Sequence, residues 1–364
     1  MMQEQRIFFG PNDPWGAFEP SDAEKRLLVD SANPESPFSK FIGNEKAVRK
    51  LQTAAFKALG QYNHMMRDLA FAIFGPASAG KTTLARLYAD TVELPFVEIS
   101  PKAVKTVEDV FKEINRVLSH EGLPLVEVGR KGHYILPPMV IFMDEVHALS
   151  DSVVQGLLKA TEYNDALMVT EKGKTVNTYN VTWMIATTDE GKLFDAFRTR
   201  FSPVVLRYLN KADVAKVVKK SNPDLSDEVC SLVAHYNSRI TRKALEFTRY
   251  MRLVKDMTPD MTWEEVAKQV ADDEGIDEHG MQDVHLKILR ALGQGPIARN
   301  RISLVAGRKD EEVERFIMPW LLTETDDQPA LVTVTAKGFT ITEAGLLELE
   351  KRGIHHKGSK ALAA

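Results

Sequence analysis

Gly75-Pro76-Ala77-Ser78-Ala79-Gly80-Lys81-Thr82 follows an apolar run over 69–74 and leads into a segment where Leu84, Leu87 and Tyr88 recur at helical spacing. A loop with glycine at both ends curls tightly enough for its backbone N–H groups to surround a phosphate, and a helix starting there turns its positive end on the same anion. Lys81 then neutralises β/γ-phosphate charge, and the Thr82 hydroxyl is offered to Mg²⁺. Downstream, Met139-Val140-Ile141-Phe142-Met143-Asp144-Glu145 reads as a buried parallel strand that delivers Asp144 to the metal and Glu145 to an attacking water. A glycine loop alone is a weak signal, and an Asp-Glu pair at a strand end commonly just faces solvent. Together they imply a nucleoside triphosphate site equipped for hydrolysis.

The chain has 364 residues, more than one hydrophobic core usually serves, and 44% of them are hydrophobic, so two or three domains are expected. Its net charge of −4 supplies no global basic field, and any contact with nucleic acid has to come from a local patch. Cys230 is the lone cysteine, which excludes an internal disulfide, argues against a zinc cluster and fits a reducing, cytoplasmic setting. No apolar run reaches transmembrane length, and the N-terminus carries Glu, Asp and Pro where a signal peptide needs a basic and then an apolar stretch. Neither a membrane span nor an export signal is expected.

Apolar runs over 69–74, 96–99, 139–143, 181–186 and 204–206 alternate with helical patterns, which predicts a parallel sheet covered on both faces. Residues 1–40, rich in Pro, Asp, Glu and Ser with Phe8, Phe9, Trp15 and Phe18 scattered among them, suit a partly ordered arm that docks. Residues 122–138 read as an inserted loop. Residues 163–180 hold two β-prone runs around Lys172-Gly173-Lys174 and predict a protruding hairpin, a candidate surface for a partner protein or DNA. From 210 to 268 the period is helical throughout, 271–277 reads as an acidic linker, and beyond it helices precede two short strands separated by Ala336-Lys337-Gly338. Helices followed by a two-stranded wing describe a winged helix.

As an ordered set these landmarks resemble the RuvB branch-migration motors within the AAA+ ATPases, from about Phe41 to Gly353. Phe41-Ile42-Gly43 resembles the motif that opens the family's core, Gly75 through Lys81, Thr82 and Thr83 its phosphate loop, and Asp144-Glu145-Val146-His147 its DEIH box. Ala186-Thr187-Thr188 resembles sensor 1, Arg198-Thr199-Arg200-Phe201 the finger segment, and Ile240-Thr241-Arg242 sensor 2. The fold implied is α/β: an AAA+ P-loop core with a parallel sheet at 41–208, a small helical lid at 209–272 and a winged-helix domain at 273–354. The arm at 1–40 precedes them, and a flexible tail at 355–364 follows. The resemblance further implies ATP and Mg²⁺ as cofactors and a homo-hexameric ring in which Arg200, with Arg198 beside it, reaches a neighbour's γ-phosphate. It places Thr188 on that phosphate or the attacking water, Arg242 as a reporter of the nucleotide, and Tyr208 against the adenine.

The chain departs from the family at the wing, where Lys337 and Phe339 stand in place of two arginines and one phosphate contact is lost. Phe339 is then a candidate for stacking on a base, and Arg290, Arg299, Arg301, Arg308 and Lys309 are candidates to rebuild a DNA-facing edge. A helix carrying Glu311, Glu312 and Glu314 is a poor major-groove reader, so DNA contact is expected to ignore sequence. The 163–180 hairpin is polar where the family's equivalent grips a RuvA partner through apolar residues. The leading expectation is an ATP-driven motor on duplex or branched DNA in recombination or repair. The alternatives are a clamp-loader-like AAA+ loader, or a protein-remodelling switch, of cellular, phage or mobile-element kind, whose winged helix binds a partner protein.

Overall fold

A computed structural model of the chain describes residues 21–59, 70–123, 125–128, 131–162, 166–188, 190–237, 240–325 and 328–356. Phe8, Phe9, Trp15 and Phe18 of the expected arm, residues 163–165 of the hairpin and the end of the expected tail lie outside them. The chain divides into two compact units: residues 21–75 with 80–206, and residues 76–79 with 207–356.

In the first unit, α1 (Asp22–Val29) begins with a capping box in which Ser21 and Glu24 satisfy each other's backbone N–H groups. A short turn with the fully buried Phe38 leads to α2 (Glu45–Ala58), whose Ala47, Val48, Leu51, Ala54 and Ala55 face inward. There follow β1 (Phe71–Phe74), α3 (Lys81–Thr91), β2 (Phe96–Ile99), α4 (Val107–His120), β3 (Val126–Glu127), β4 (His133–Ile135), β5 (Met139–Met143), α5 (Asp151–Leu158), β6 (Leu167–Val169), β7 (Thr175–Asn177), β8 (Val181–Thr187), α6 (Asp195–Arg198) and β9 (Ser202–Val205).

The main sheet runs β2-β5-β8-β1-β9, parallel throughout. Every residue of β1, β5 and β8 is buried, as a parallel sheet with covered faces requires, which is why these strands read as unbroken apolar runs. Leu136, Ile141, Ile185 and Trp183 form a core with the inward face of α4, Val110, Phe111, Ile114 and Leu118.

Residues 122–138 are not a plain loop. β3 and β4 pair with each other, and β4 pairs in parallel with β7, so the inserted segment and the hairpin build one four-stranded sheet, β3-β4-β7-β6. Nor does the hairpin stand out alone: the Glu171 carboxylate accepts the N–H groups of Val107 and Glu108 at 2.9 and 2.8 Å, filling donors that the first turn of α4 leaves unpaired. Lys174 adds an ion pair with Glu108 at 3.4 Å and lies 4.7 Å from the Phe111 ring centre.

The second unit opens with the helical lid, α7 (Lys211–Ser221), α8 (Asp227–Tyr236), α9 (Thr241–Met257) and α10 (Trp263–Asp273), around Val214, Val218, Val233, Phe247, Met251 and Val270. α10 runs to Asp273, so Ala271, Asp272 and Asp273 are its last turn and not linker; Ala271 is buried in the lid core. The winged-helix module comprises α11 (Asp283–Leu292), α12 (Ile302–Ala306), α13 (Asp310–Glu312), a π turn over Val313–Ile317, α14 (Met318–Leu322), β10 (Val332–Thr335), β11 (Gly338–Ile341) and α15 (Glu343–Lys351). The segment that follows α10 is held from both sides: Arg352 at the end of α15 reaches Asp277 at 2.9 Å and also pairs with Glu348, while His235 Nε2 of α8 lies 2.7 Å from the Glu278 carbonyl. Among the described residues no helix is long and apolar enough to cross a membrane.

Candidate functional site

The phosphate loop lies between β1 and α3, and α3 starts at Lys81 because Gly80 takes the left-handed conformation (φ 89°) that ends the loop. A Cβ on Gly80 would stand 3.0 Å from the Phe41 ring, so Phe41 packs against the end of the loop, and the left-handed φ favours glycine there. Lys81 is buried and donates from Nζ to the Gly75 carbonyl at 3.0 Å, folding its ammonium over the loop's first residue. Within the crown 76–79, the Ala79 N–H donates to the Pro76 carbonyl at 3.3 Å. Ser78 adopts a left-handed φ of 65°, and its Oγ is buried without a hydrogen-bond partner. An orphaned buried hydroxyl in an anion-binding loop is a donor awaiting an acceptor.

The end of β5 comes to the start of α3, where the Thr82 hydroxyl lies 3.4 Å from Asp144 Oδ2. These two oxygen ligands suit Mg²⁺, which keeps most of its shell as water and phosphate oxygen; no group of three or more His, Cys, Asp or Glu among the described residues would compete with it. Asp144 Oδ1 accepts the Glu145 N–H at 2.9 Å, and Glu145 itself sits at φ 54°. Its carboxylate is gripped by Thr188, through the hydroxyl at 3.1 Å and the N–H at 3.3 Å. His147 Nδ1 is 3.2 Å from the same oxygen and 2.9 Å from Thr187 Oγ1. The ends of β5 and β8 therefore bring Asp144, Glu145, His147 and Thr188 together, and Thr188 here positions Glu145.

The remaining residues are placed differently. Arg200 donates to the Ala196 carbonyl at 2.7 Å and its guanidinium is 3.6 Å from Glu162, a partner sequence reading did not single out. Arg198 donates to the Glu190 carbonyl at 2.7 Å. Tyr208 packs against the apolar core of the winged-helix module. Arg242, at the start of α9, is exposed. Phe339 is not available for stacking on a base: it is 8% exposed and belongs to the winged-helix core, because Ile297 pairs alongside β11 and exchanges N–H···O bonds with Phe339 at 3.0 and 2.8 Å. The same pairing brings Ile297 and Ala298 against Gly338, where a Cβ would lie 2.3 Å from the Ile297 carbonyl oxygen; Arg299, Arg301 and Lys337, close in sequence to the two paired segments, are exposed.

A glycine-looped phosphate cradle before α3, a strand-end Asp-Glu pair and a facing threonine form a site suited to nucleoside triphosphate hydrolysis. Residues 71–208 match the family model described as ATPase family associated with various cellular activities. Over most of its length the chain is, further, similar to RuvB proteins. It is 24% identical over 348 residues to the Holliday junction branch migration complex subunit RuvB of Lactobacillus johnsonii, covering 90% of this chain and 94% of that one. Against the RuvB of Mycoplasma pneumoniae identity is 23%, covering 86% and 96%. The solved structure of the Thermotoga maritima RuvB Holliday junction branch migration motor superposes with a TM-score of 0.66 at 22% identity, covering 90% of this chain and 99% of that one. The chain is thus an ATP hydrolase whose fold is shared with RuvB.

Proposed function

We propose that this protein is an ATP-driven DNA motor that works as a homo-hexameric ring in the cytoplasm, moving duplex or branched DNA in recombination or repair. The observation that carries this reading is the joining, in one chain, of an Asp144/Glu145 site to a winged helix whose Arg299, Arg301 and Lys337 are exposed beside the Ile297–Phe339 pairing. The phosphate loop 75–83 with Phe41 and Ile42 holds the nucleotide, and Thr82 with Asp144 holds Mg²⁺. Glu145, held in position by Thr188, takes the proton of the attacking water. Arg242 reports on the bound nucleotide, and Arg200, once released from Glu162, stabilises charge at a neighbour's γ-phosphate, with Arg198 supporting it. Exposed cations neutralise phosphates without reading bases, so binding is independent of sequence.

The test is steady-state ATPase with and without a four-way junction, linear duplex and single strand at two salt concentrations. Stimulation by duplex or junction that fades with salt supports the motor; a rate indifferent to every DNA overturns it. One observation favours a second reading, in which the winged helix contacts a protein. Phe339 is buried and Lys337 is the wing's single basic residue, while Val334 on the wing is 42% and Leu304 of α12 80% exposed. The same experiment separates the two.

A further inference from the structure

We infer that His147 is a positioning residue for hydrolysis: its Nδ1–H, together with Thr188, holds one carboxylate oxygen of Glu145 and leaves the other to the attacking water. The inference rests on the reading of Glu145 as the base, given under the proposed function, and it concerns the first unit alone.

The turn after β5 makes the contact. Glu145, at φ 54°, sends the chain straight into a single 3₁₀ turn over Val146–Ala148, closed by the Ala148 N–H on the Glu145 carbonyl at 2.9 Å. Val146 is fully buried and pins that turn to the core, so the His147 ring comes back beside a carboxylate two residues earlier. There Nδ1 lies 3.2 Å from Glu145 Oε2 and 2.9 Å from Thr187 Oγ1. A bare Nδ1 would set its lone pair against the carboxylate, so Nδ1 carries the hydrogen and the two oxygens share it. Thr187 is itself fixed: it ends β8, it is buried, and its carbonyl accepts the Gly75 N–H at 3.4 Å.

The two oxygens of Glu145 are thereby given different work. Oε2 faces three donors, the Thr188 N–H at 3.3 Å, the Thr188 hydroxyl at 3.1 Å and His147 Nδ1. Oε1 has no hydrogen bond or ion pair among the described residues, and it is the oxygen left to take a proton. Donors from two separate segments, the turn after β5 and the residue after β8, fix the carboxylate better than either could alone. The contact is also sheltered, with the side chains of His147 and Glu145 only 19% and 31% exposed, which strengthens hydrogen bonds to a charged acceptor.

The experiment measures steady-state ATPase and equilibrium binding of fluorescent ATPγS on the full chain and on His147→Ala, His147→Asn, His147→Gln and Glu145→Gln. The amide nitrogen of Asn stands as far from the backbone as Nδ1, and that of Gln as far as Nε2, so the pair separates a contact through Nδ1 from a general need for a polar side chain. His147→Ala should lower kcat on the order of tenfold, with KM and ATPγS affinity unchanged. His147→Asn should recover most of that loss and His147→Gln should not. An unimpaired kcat in His147→Ala, a change confined to KM or to affinity, or the same rate in the Asn and Gln variants overturns the inference. Should His147→Ala fail to fold, the Asn and Gln variants decide between them. Glu145→Gln tests the underlying reading: turnover there as fast as in the unaltered chain means that Glu145 is not the base and removes the role of His147 with it, whereas an inactive Glu145→Gln beside an unimpaired His147→Ala sinks the inference alone.

Discussion

Glu145 occupies the left-handed region, which costs a non-glycine residue about 1–2 kcal/mol, and it does so where Thr188 and His147 close on its carboxylate. Strain of this kind persists where surrounding contacts over-determine a side chain, and at a hydrolysis site it holds the base in one orientation. Glu145→Gln should therefore keep nucleotide affinity while turnover falls by roughly 10²-fold or more, measured as binding beside single-turnover hydrolysis. Thr188→Val removes the hydroxyl but leaves the N–H, and should lower kcat with little change in KM; a change confined to KM would contradict the positioning role. Lys81→Ala should abolish nucleotide binding. The residues proposed for this chemistry are legible because each stands beside a strand end or loop of recognisable type. Glu162, which pairs with Arg200, carried no signal of its own, since an isolated surface carboxylate looks the same whether or not an arginine folds onto it.

At the scale of elements, the wing shows how far pattern reading extends. β10, β11 and the turn between them follow from two short apolar runs around Ala336-Lys337-Gly338, yet the sequence leaves Phe339 a candidate for stacking on a base because its neighbour at Ile297 is remote in sequence. Gly338→Ala should destabilise the winged-helix module, since its φ of 111° is unfavourable for any side chain and the new methyl meets backbone at Ile297. Phe339→Ala should cost about 3 kcal/mol through the cavity it leaves; both are read by denaturant unfolding. The main-sheet strands were legible as unbroken apolar runs, whereas β3 and β4 were not, because β4 pairs in parallel with β7 across a long connection and is too short to show a period. At the junction, burial raises the Asp277 carboxyl, but the Met281 N–H and the Arg352 guanidinium outweigh it and hold its pKa below the usual carboxylate range. For Glu348, burial likewise raises and Arg352 more than offsets it. Both depressions add stability above the ordinary carboxylate pKa that disappears as pH falls through the folded values. Arg352→Ala should cost about 3 kcal/mol at neutral pH and flatten the acid limb of the stability profile.

At the scale of the whole molecule, the ring reading makes a demand that a single chain cannot meet: the water-activating carboxylate and the finger arginine of one site come from different copies. Arg200→Ala should bind nucleotide normally and hydrolyse it poorly. Mixing Arg200→Ala with Glu145→Gln, each nearly inactive alone, should restore part of the ATPase rate, because some sites then combine an intact Glu145 with a neighbour's intact Arg200. No recovery would argue that Arg200 serves its own chain, through Glu162. Within the second unit, the connecting segment held by Arg352 at Asp277 and by His235 at Glu278 has a mechanical reading. On the proposed motor reading, a stiff arm turns a small angle at its base into a distance at its tip, so the travel of Lys337 for each nucleotide cycle is a matter of lever length, and loosening the segment would shorten the stride without slowing the engine.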